Sequence, residues 1–184
     1  PQVREAEALA RHALRLNPAY DSAYTTLGVI LAARHDDKGA EAAFRRATEL
    51  APERIPPIVN LGALHARNGR YLEALPLLRK AWAKDPDHPG LRNNLGLALR
   101  NYGTDLARAR RLAEAVTIFQ EAIAVIPDDA ELHRNIGLVL WEQGRTEAAG
   151  PHLERAATLR PGDESARGLL ARFRADPERP LRLR

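Results

Sequence analysis

The chain has 184 residues, 28 basic and 24 acidic side chains, a net charge of +4 and no cysteine. Disulfide frameworks and thiolate chemistry are thereby excluded. No run reaches 18 uncharged apolar residues, so no membrane span is expected, and a small charge spread along the chain argues against a nucleic-acid partner.

Helix formers dominate and alternating β-branched runs are missing, so every element is predicted to be helical. Residues 1–18 read as half a repeat. Arg4–Leu16 carries Ala6, Ala10 and Ala13 on one face and is closed by Pro18. It lacks the helix it would pair with, so Leu9, Ala13 and Leu16 predict weak self-association through this end. Residues 19–52 form a helix pair with Tyr24, Leu27, Gly28 and Leu31 on the first helix and Ala40, Phe44 and Ala47 on the second, stopped by Pro52. Residues 53–86 repeat it with Ile58, Leu61, Gly62, His65, Ala74, Leu78, Ala81 and Pro86.

Residues 87–127 repeat it again with Leu95, Gly96, Leu99, Ala115, Phe119, Ala122 and Pro127, but with Arg92 where the first large residue should be. This unit is seven residues too long. The excess, "TDLARAR" at 104–110, is placed after a turn at Gly103. It is read as two extra turns at the start of the second helix. Thr104 would cap them, and Arg108, Arg110 and Arg111 would form a basic protrusion. Residues 128–161 return to the shorter form with His133, Ile136, Gly137, Leu140, Ala149, Leu153, Ala156 and Pro161. Residues 162–175 read as a polar capping helix, and 176–184 as a loose tail or linker.

The period is explicit. Pro18, Pro52, Pro86, Pro127 and Pro161 step by 34, 34, 41 and 34, and Ala6, Ala40, Ala74, Ala115 and Ala149 keep the same rhythm. Gly28, Gly62, Gly96 and Gly137 step by 34, 34 and 41. Small residues at these places let two helices approach closely, while Phe44, Leu78, Phe119 and Leu153 fill the space between them. Asp21, Asp87 and Asp129 are expected at helix starts, where an acid is favoured. Pro76 and Pro151 fall within second helices and predict a slight bend. The order of aromatic, Leu-Gly, large residue, Ala, Phe and closing Pro over 34 residues resembles the tetratricopeptide repeat. The resemblance implies an all-α fold, an α-solenoid in which antiparallel hairpins stack into a right-handed superhelix.

No catalytic constellation is present. The six histidines are scattered over different repeats without metal-ligand spacing, and no phosphate loop or nucleophile elbow occurs. No enzyme activity, cofactor or metal is expected. His65 and His133 fall at large-residue positions and read as packing residues. The solenoid implied by the resemblance has a concave groove lined by first helices, suited to an extended peptide. The groove positions include Asn60 and Arg67, then Asn93, Asn94, Leu97 and Asn101, then Arg134, Asn135 and Leu138.

Asn60, Asn94 and Asn135, with Thr26 in the first repeat, resemble the asparagine ladder in the repeat domain of O-linked N-acetylglucosamine transferases, whose amides grip a peptide backbone. The Lys and Asn residues of the chaperone-binding carboxylate clamp are absent. The expected function is a protein-interaction scaffold with a protein or peptide partner. The alternative is the substrate-recruiting arm of a larger enzyme such as a glycosyltransferase. RNA binding is disfavoured because Val29, Leu97 and Leu138 interrupt the groove. Arginine outnumbers lysine heavily, and alanine is abundant, as a GC-rich bacterial genome would produce. The sequence begins at Pro1 without methionine, so an upstream start is expected. The compartment stays open, with bacterial cytoplasm favoured over periplasm.

Overall fold

Glycine against a bulky side chain sets how close the helices come. A Cβ on Gly28 would stand 2.5 Å from the Phe44 ring, one on Gly62 2.8 Å from Leu78, and one on Gly137 2.6 Å from Leu153. Real Cβ atoms do not approach so closely, so each glycine is the gap that a large residue of the next helix fills. The computed structural model describes residues 2–179. Its helices are α1 (Gln2–Leu16), α2 (Asp21–Ala33), α3 (Asp37–Leu50), α4 (Ile55–Arg67), α5 (Tyr71–Lys84), α6 (Leu91–Arg108), α7 (Leu112–Val125), α8 (Ala130–Glu142), α9 (Thr146–Leu159) and α10 (Glu164–Ala175). The fold is all-α. The chain divides into two units, Pro1–Leu95 and Gly96–Arg184, with the division inside α6.

In the first unit, α2 pairs with α3 and α4 with α5. Its core joins Ala10 of α1, Leu27 and Leu31 of α2, Ala40, Ala43 and Phe44 of α3, and Leu61 and Leu64 of α4. The alanines Ala40, Ala47, Ala74 and Ala81 are fully buried, which lets neighbouring backbones close on one another. On α1, Leu9 and Leu16 remain exposed.

In the second unit, α8 pairs with α9, and α10 packs on α9. Its core includes Phe119, Leu132, Ile136, Trp141 and Leu153, each about as buried as a side chain can be. Trp141 also meets Phe173 of α10 edge to face at 5.4 Å. Its indole N–H donates to the Pro177 carbonyl at 2.5 Å. The expected loose tail is therefore held at Pro177, and its residues 180–184 lie outside the described region.

The seven extra residues are not where the sequence placed them. Gly103 is no turn residue: it lies inside α6, and a Cβ on it would stand 2.5 Å from the Phe119 ring. Gly103 and Phe119 have the sixteen-residue separation of Gly28 and Phe44. The equivalent of Gly62 and Gly137 is thus Gly103, and the first helix is lengthened ahead of it. Gly96 instead faces Ile126, at the end of the second helix. Thr104 caps nothing; its hydroxyl donates to the Arg100 carbonyl within α6, and the second helix starts only at Leu112. In this register Leu99, fully buried, takes the large position assigned above to Arg92. Arg92 lies over the Trp82 ring at 5.6 Å. The basic protrusion is also neutralised. Arg108 pairs with Asp105, Arg110 with Glu142, and Arg111 with Glu114.

The turn between helices needs one residue in the left-handed region. Gly69 and Gly144 supply it at φ 72° and 71°, whereas His35 and Arg110 adopt 61° and 63° at the equivalent places. Helix starts use Asp36, Asp129 and Asp163, whose carboxylates accept from Gly39, Leu132 and Ala166 backbone N–H groups. Asp21 and Asp129 match expectation. Asp21 lies in the first turn behind Tyr20, and Asp87 precedes α6 without reaching its start.

Between α8 and α9, His133 and His152 set their Nδ1 atoms 3.0 Å apart. His133 Nε2 is 2.9 Å from the Pro127 carbonyl, which can only accept. The proton of neutral His133 therefore sits on Nε2, its Nδ1 accepts, and His152 Nδ1 donates. Burial, and then the charge that His133 would carry, hold the His152 pKa below its ordinary value.

Two measurements follow. Gly103→Ala should cost about 1–3 kcal/mol in a denaturant titration, since the methyl overpacks against Phe119. Pairing it with Phe119→Leu should show a favourable coupling of about 0.5–1 kcal/mol, whereas strict additivity would place the two residues apart. The His152 imidazole resists protonation in the folded state and accepts it freely when unfolded. Its contribution is thus present above the ordinary imidazole pKa and is lost as pH falls through and below that value. Melting temperature should drop between pH 7.5 and 5.5, and the drop should be smaller in His152→Gln.

Candidate functional site

Each unit has a cleft between its first helices. In the first unit, a cavity of about 350 Å3 lies among Val29 and Ala32 of α2, Asn60, Ala63, Leu64 and Arg67 of α4, and Asn94 of α6, with Phe44 behind. Arg67 is turned aside to pair with Asp37 at 2.5 Å. In the second unit, a larger cavity of about 760 Å3 runs between α6, α8 and α10. Its floor is Ala107, Leu138, Val139 and Leu169, with Phe119 beneath. Its polar rim includes Thr104, Arg108, Glu131, Arg134, Asn135, Glu164 and Arg172.

Helical spacing explains why these side chains meet. Leu138 lies three residues beyond Asn135 and four beyond Arg134, so the three share one face of α8. The opposite face carries Leu132, Ile136 and Leu140 into the core. Asn135 Nδ2 donates to Thr104 Oγ1 at 3.1 Å, across from α8 to α6. Its carbonyl oxygen is 3.5 Å from Arg134 Nη2. The amide is thus already oriented, and an entering ligand would exchange one bond for another.

Of the residues singled out from the sequence, Asn60, Asn94 and Arg67 line the first cavity, and Arg134, Asn135 and Leu138 line the second. Thr26, Asn93, Leu97 and Asn101 line neither. The Thr26 hydroxyl donates to the Ser22 carbonyl. Asn93 and Asn101 are exposed and Leu97 is half-buried.

The corrected register redraws the set. The residue two before the packing glycine is Thr26, Asn60, Asn101 and Asn135, so Asn101 and not Asn94 is equivalent to the other asparagines. Asn94 still borders Asn60 through the first cavity. The sequence reading missed Thr104, Arg108, Glu131, Glu164 and Arg172. Thr104 and Arg108 were hidden by the misplaced extra turns. The Gly103-to-Phe119 separation was the signal that would have found them.

One cluster brings together candidate metal donors from three helices. Glu41, His65 and Glu73 offer ligand atoms within 4.8 Å of one another. Both carboxylates are already engaged by cations. Arg70 bonds Glu41 at 2.6 Å and Arg45 bonds it at 2.8 Å, and both stand within 4 Å of Glu73. The Arg70 bond lowers the Glu41 pKa to about 2. Burial, with Arg70 beside it, lowers the His65 pKa. A metal ion would have to displace two guanidiniums, so the cluster serves as an ion-pair network that joins the hairpins of the first unit.

Comparison with known proteins agrees with the helical-hairpin fold. No curated protein sequence matches the chain. Among solved structures the chain is similar to YrrB, a TPR protein with an unusual peptide-binding site. The TM-score is 0.69 at 23% identity, over 91% of this chain and 82% of that one. It is also similar to MamA of strain AMB-1, with a TM-score of 0.66 at 25% identity, over 86% and 89% of the two chains. PilF of Pseudomonas aeruginosa gives 0.64 at 20% identity, over 95% and 78%. The tetratricopeptide repeat pattern matches residues 2–55, 59–104 and 100–164. With nearly the whole described chain so matched, the protein belongs to the tetratricopeptide repeat family.

Proposed function

We propose that the protein is a protein-interaction scaffold whose first helices hold an extended peptide segment of a partner. The carrying observation is the composition of the larger cleft. A continuous aliphatic floor of Ala107, Leu138, Val139 and Leu169 is bordered by an oriented amide, Asn135, and by charged side chains. Apolar surface with a few fixed polar groups is what a peptide side chain and its backbone require. The smaller cleft repeats the chemistry with Asn60, Asn94 and Ala63. YrrB, of similar fold, has a peptide-binding site by its own description, and the same use is proposed for this chain. No catalytic step belongs to this reading; the chain acts by bringing a partner segment to a surface.

The test is selection of random twelve-residue peptides on the purified chain, followed by calorimetry with the peptides recovered. Leu138→Arg should weaken binding at least tenfold by filling the floor, with an unchanged helical spectrum. Asn135→Ala should weaken a peptide held in the larger cleft, and Asn60→Ala or Asn94→Ala one held in the smaller, by about 0.5–1.5 kcal/mol for each bond lost. Stability should scarcely change in unit one, and should fall slightly in unit two through loss of the Thr104 bond. Unaltered affinity in all these variants would sink the proposal.

A further inference from the structure

The larger cleft is charged asymmetrically, and its asymmetry follows the helices. α8 and α10 both run antiparallel to α9. Gly137 faces Leu153, and a Cβ on Gly150 would meet the Phe173 ring at 3.2 Å. α6 likewise runs antiparallel to α7, through Gly96 on Ile126 and Gly103 on Phe119. Thr104 lies beside Asn135, and Arg100 bonds Asp129 at 2.9 Å, so α6 and α8 are parallel. Glu131 and Glu164 stand in the first turns of α8 and α10, where carboxylates suit the positive helix end. Arg108 and Arg172 stand in the last turns of α6 and α10, where cations suit the negative end. One mouth of the cleft is therefore acidic and the other basic, with Leu138 and Leu169 between them.

Each mouth has one charge that is already paired and one that is not. Glu131 is engaged by Arg100 at 3.1 Å and by Arg134 at 3.8 Å. Arg108 pairs with exposed Asp105, three residues before it on the same helix. Arg172 has no charged partner among the described residues. It is separated from Glu164 by eight residues of helix, about 12 Å at 1.5 Å per residue. Each mouth thus keeps one side chain without a charged partner among the described residues, Glu164 at the acidic end and Arg172 at the basic end, where Arg108 stands paired to exposed Asp105.

Resting on the peptide-scaffold reading above, we infer that this cleft takes a peptide segment with an aliphatic side chain next to an acidic one. The aliphatic group seats on Leu138 and Leu169. The adjacent carboxylate reaches Arg172 and Arg108, and the segment's acidic residue lies toward the C-terminal ends of α6 and α10. A guanidinium offers paired N–H donors that match a carboxylate, which makes the contact selective as well as attractive. A partner segment with a basic residue in that place would meet two arginines and be rejected.

The test uses the whole chain and the same random twelve-residue peptide library. Recovered peptides should be enriched in Asp or Glu beside Leu, Ile or Val. Arg172→Glu should weaken them about tenfold and should itself select Lys or Arg at that place. Affinity of the native chain should fall as salt is raised from 50 to 500 mM. Arg172 is exposed, so its reversal should lower the melting temperature only slightly, through the lost cation at the helix end, and this is checked alongside. Peptides that bind, and lose binding on Leu138→Arg, but show neither acidic enrichment nor a response to Arg172→Glu, overturn the acidic assignment and leave the peptide reading standing. Peptides whose binding ignores Leu138→Arg overturn both.

Discussion

Everything in this protein rests on the contact between a glycine on one helix and a bulky residue on the next. Phe44, Leu78, Phe119 and Leu153 are the large partners, and Gly28, Gly62, Gly103 and Gly137 are the gaps they enter. A methyl group at any of these glycines would force the helices apart. Because the contact recurs with one fixed separation, it sets the register of each hairpin. The register in turn decides which face of a first helix is left for solvent and partners. The buried alanines Ala40, Ala74, Ala115 and Ala149 serve the same close approach from the second helix.

Function follows from what that packing leaves uncovered. A first helix in a hairpin stack uses one face on its own partner helix and a second on neighbouring repeats. The residual stripe carries Asn60, Ala63 and Arg67 in one unit, and Arg134, Asn135 and Leu138 in the other. These residues are supported by rigid helices, so a bound segment would meet preorganised groups instead of ordering a loop. The asparagine amide is well suited to such a stripe, since it can donate and accept at once, as a peptide backbone does. The charged mouths of the larger cleft arise from a simpler cause. Acids placed in first turns and cations in last turns complement the helix dipoles, and parallel first helices bring like charges to the same side.

Titratable groups elsewhere are structural. His133 and His152 share one hydrogen bond whose polarity is dictated by the Pro127 carbonyl. Glu41, His65 and Glu73 are tied by Arg45 and Arg70 into a network across three helices. His65 and His133 occur where a large side chain is wanted between helices and a polar one has been accepted.

The sequence by itself determined the helical class, the repeat, and the residues that pack between helices, because a 34-residue period in Pro, Gly and Ala has few physical solutions. What it left undecided was the place of seven extra residues. Either Gly96 or Gly103 satisfies a glycine pattern, and an insertion of about two turns keeps the same face of a helix, so periodicity alone does not separate them. Only the tertiary contact of Gly103 with Phe119 does, and it moves Thr104 and Arg108 from a supposed second-helix extension into the larger cleft. Arg172 and Glu164 were equally invisible in sequence. They lie some thirty to forty residues beyond Asn135, and only the return of α10 alongside α8, through α9, brings them to one site.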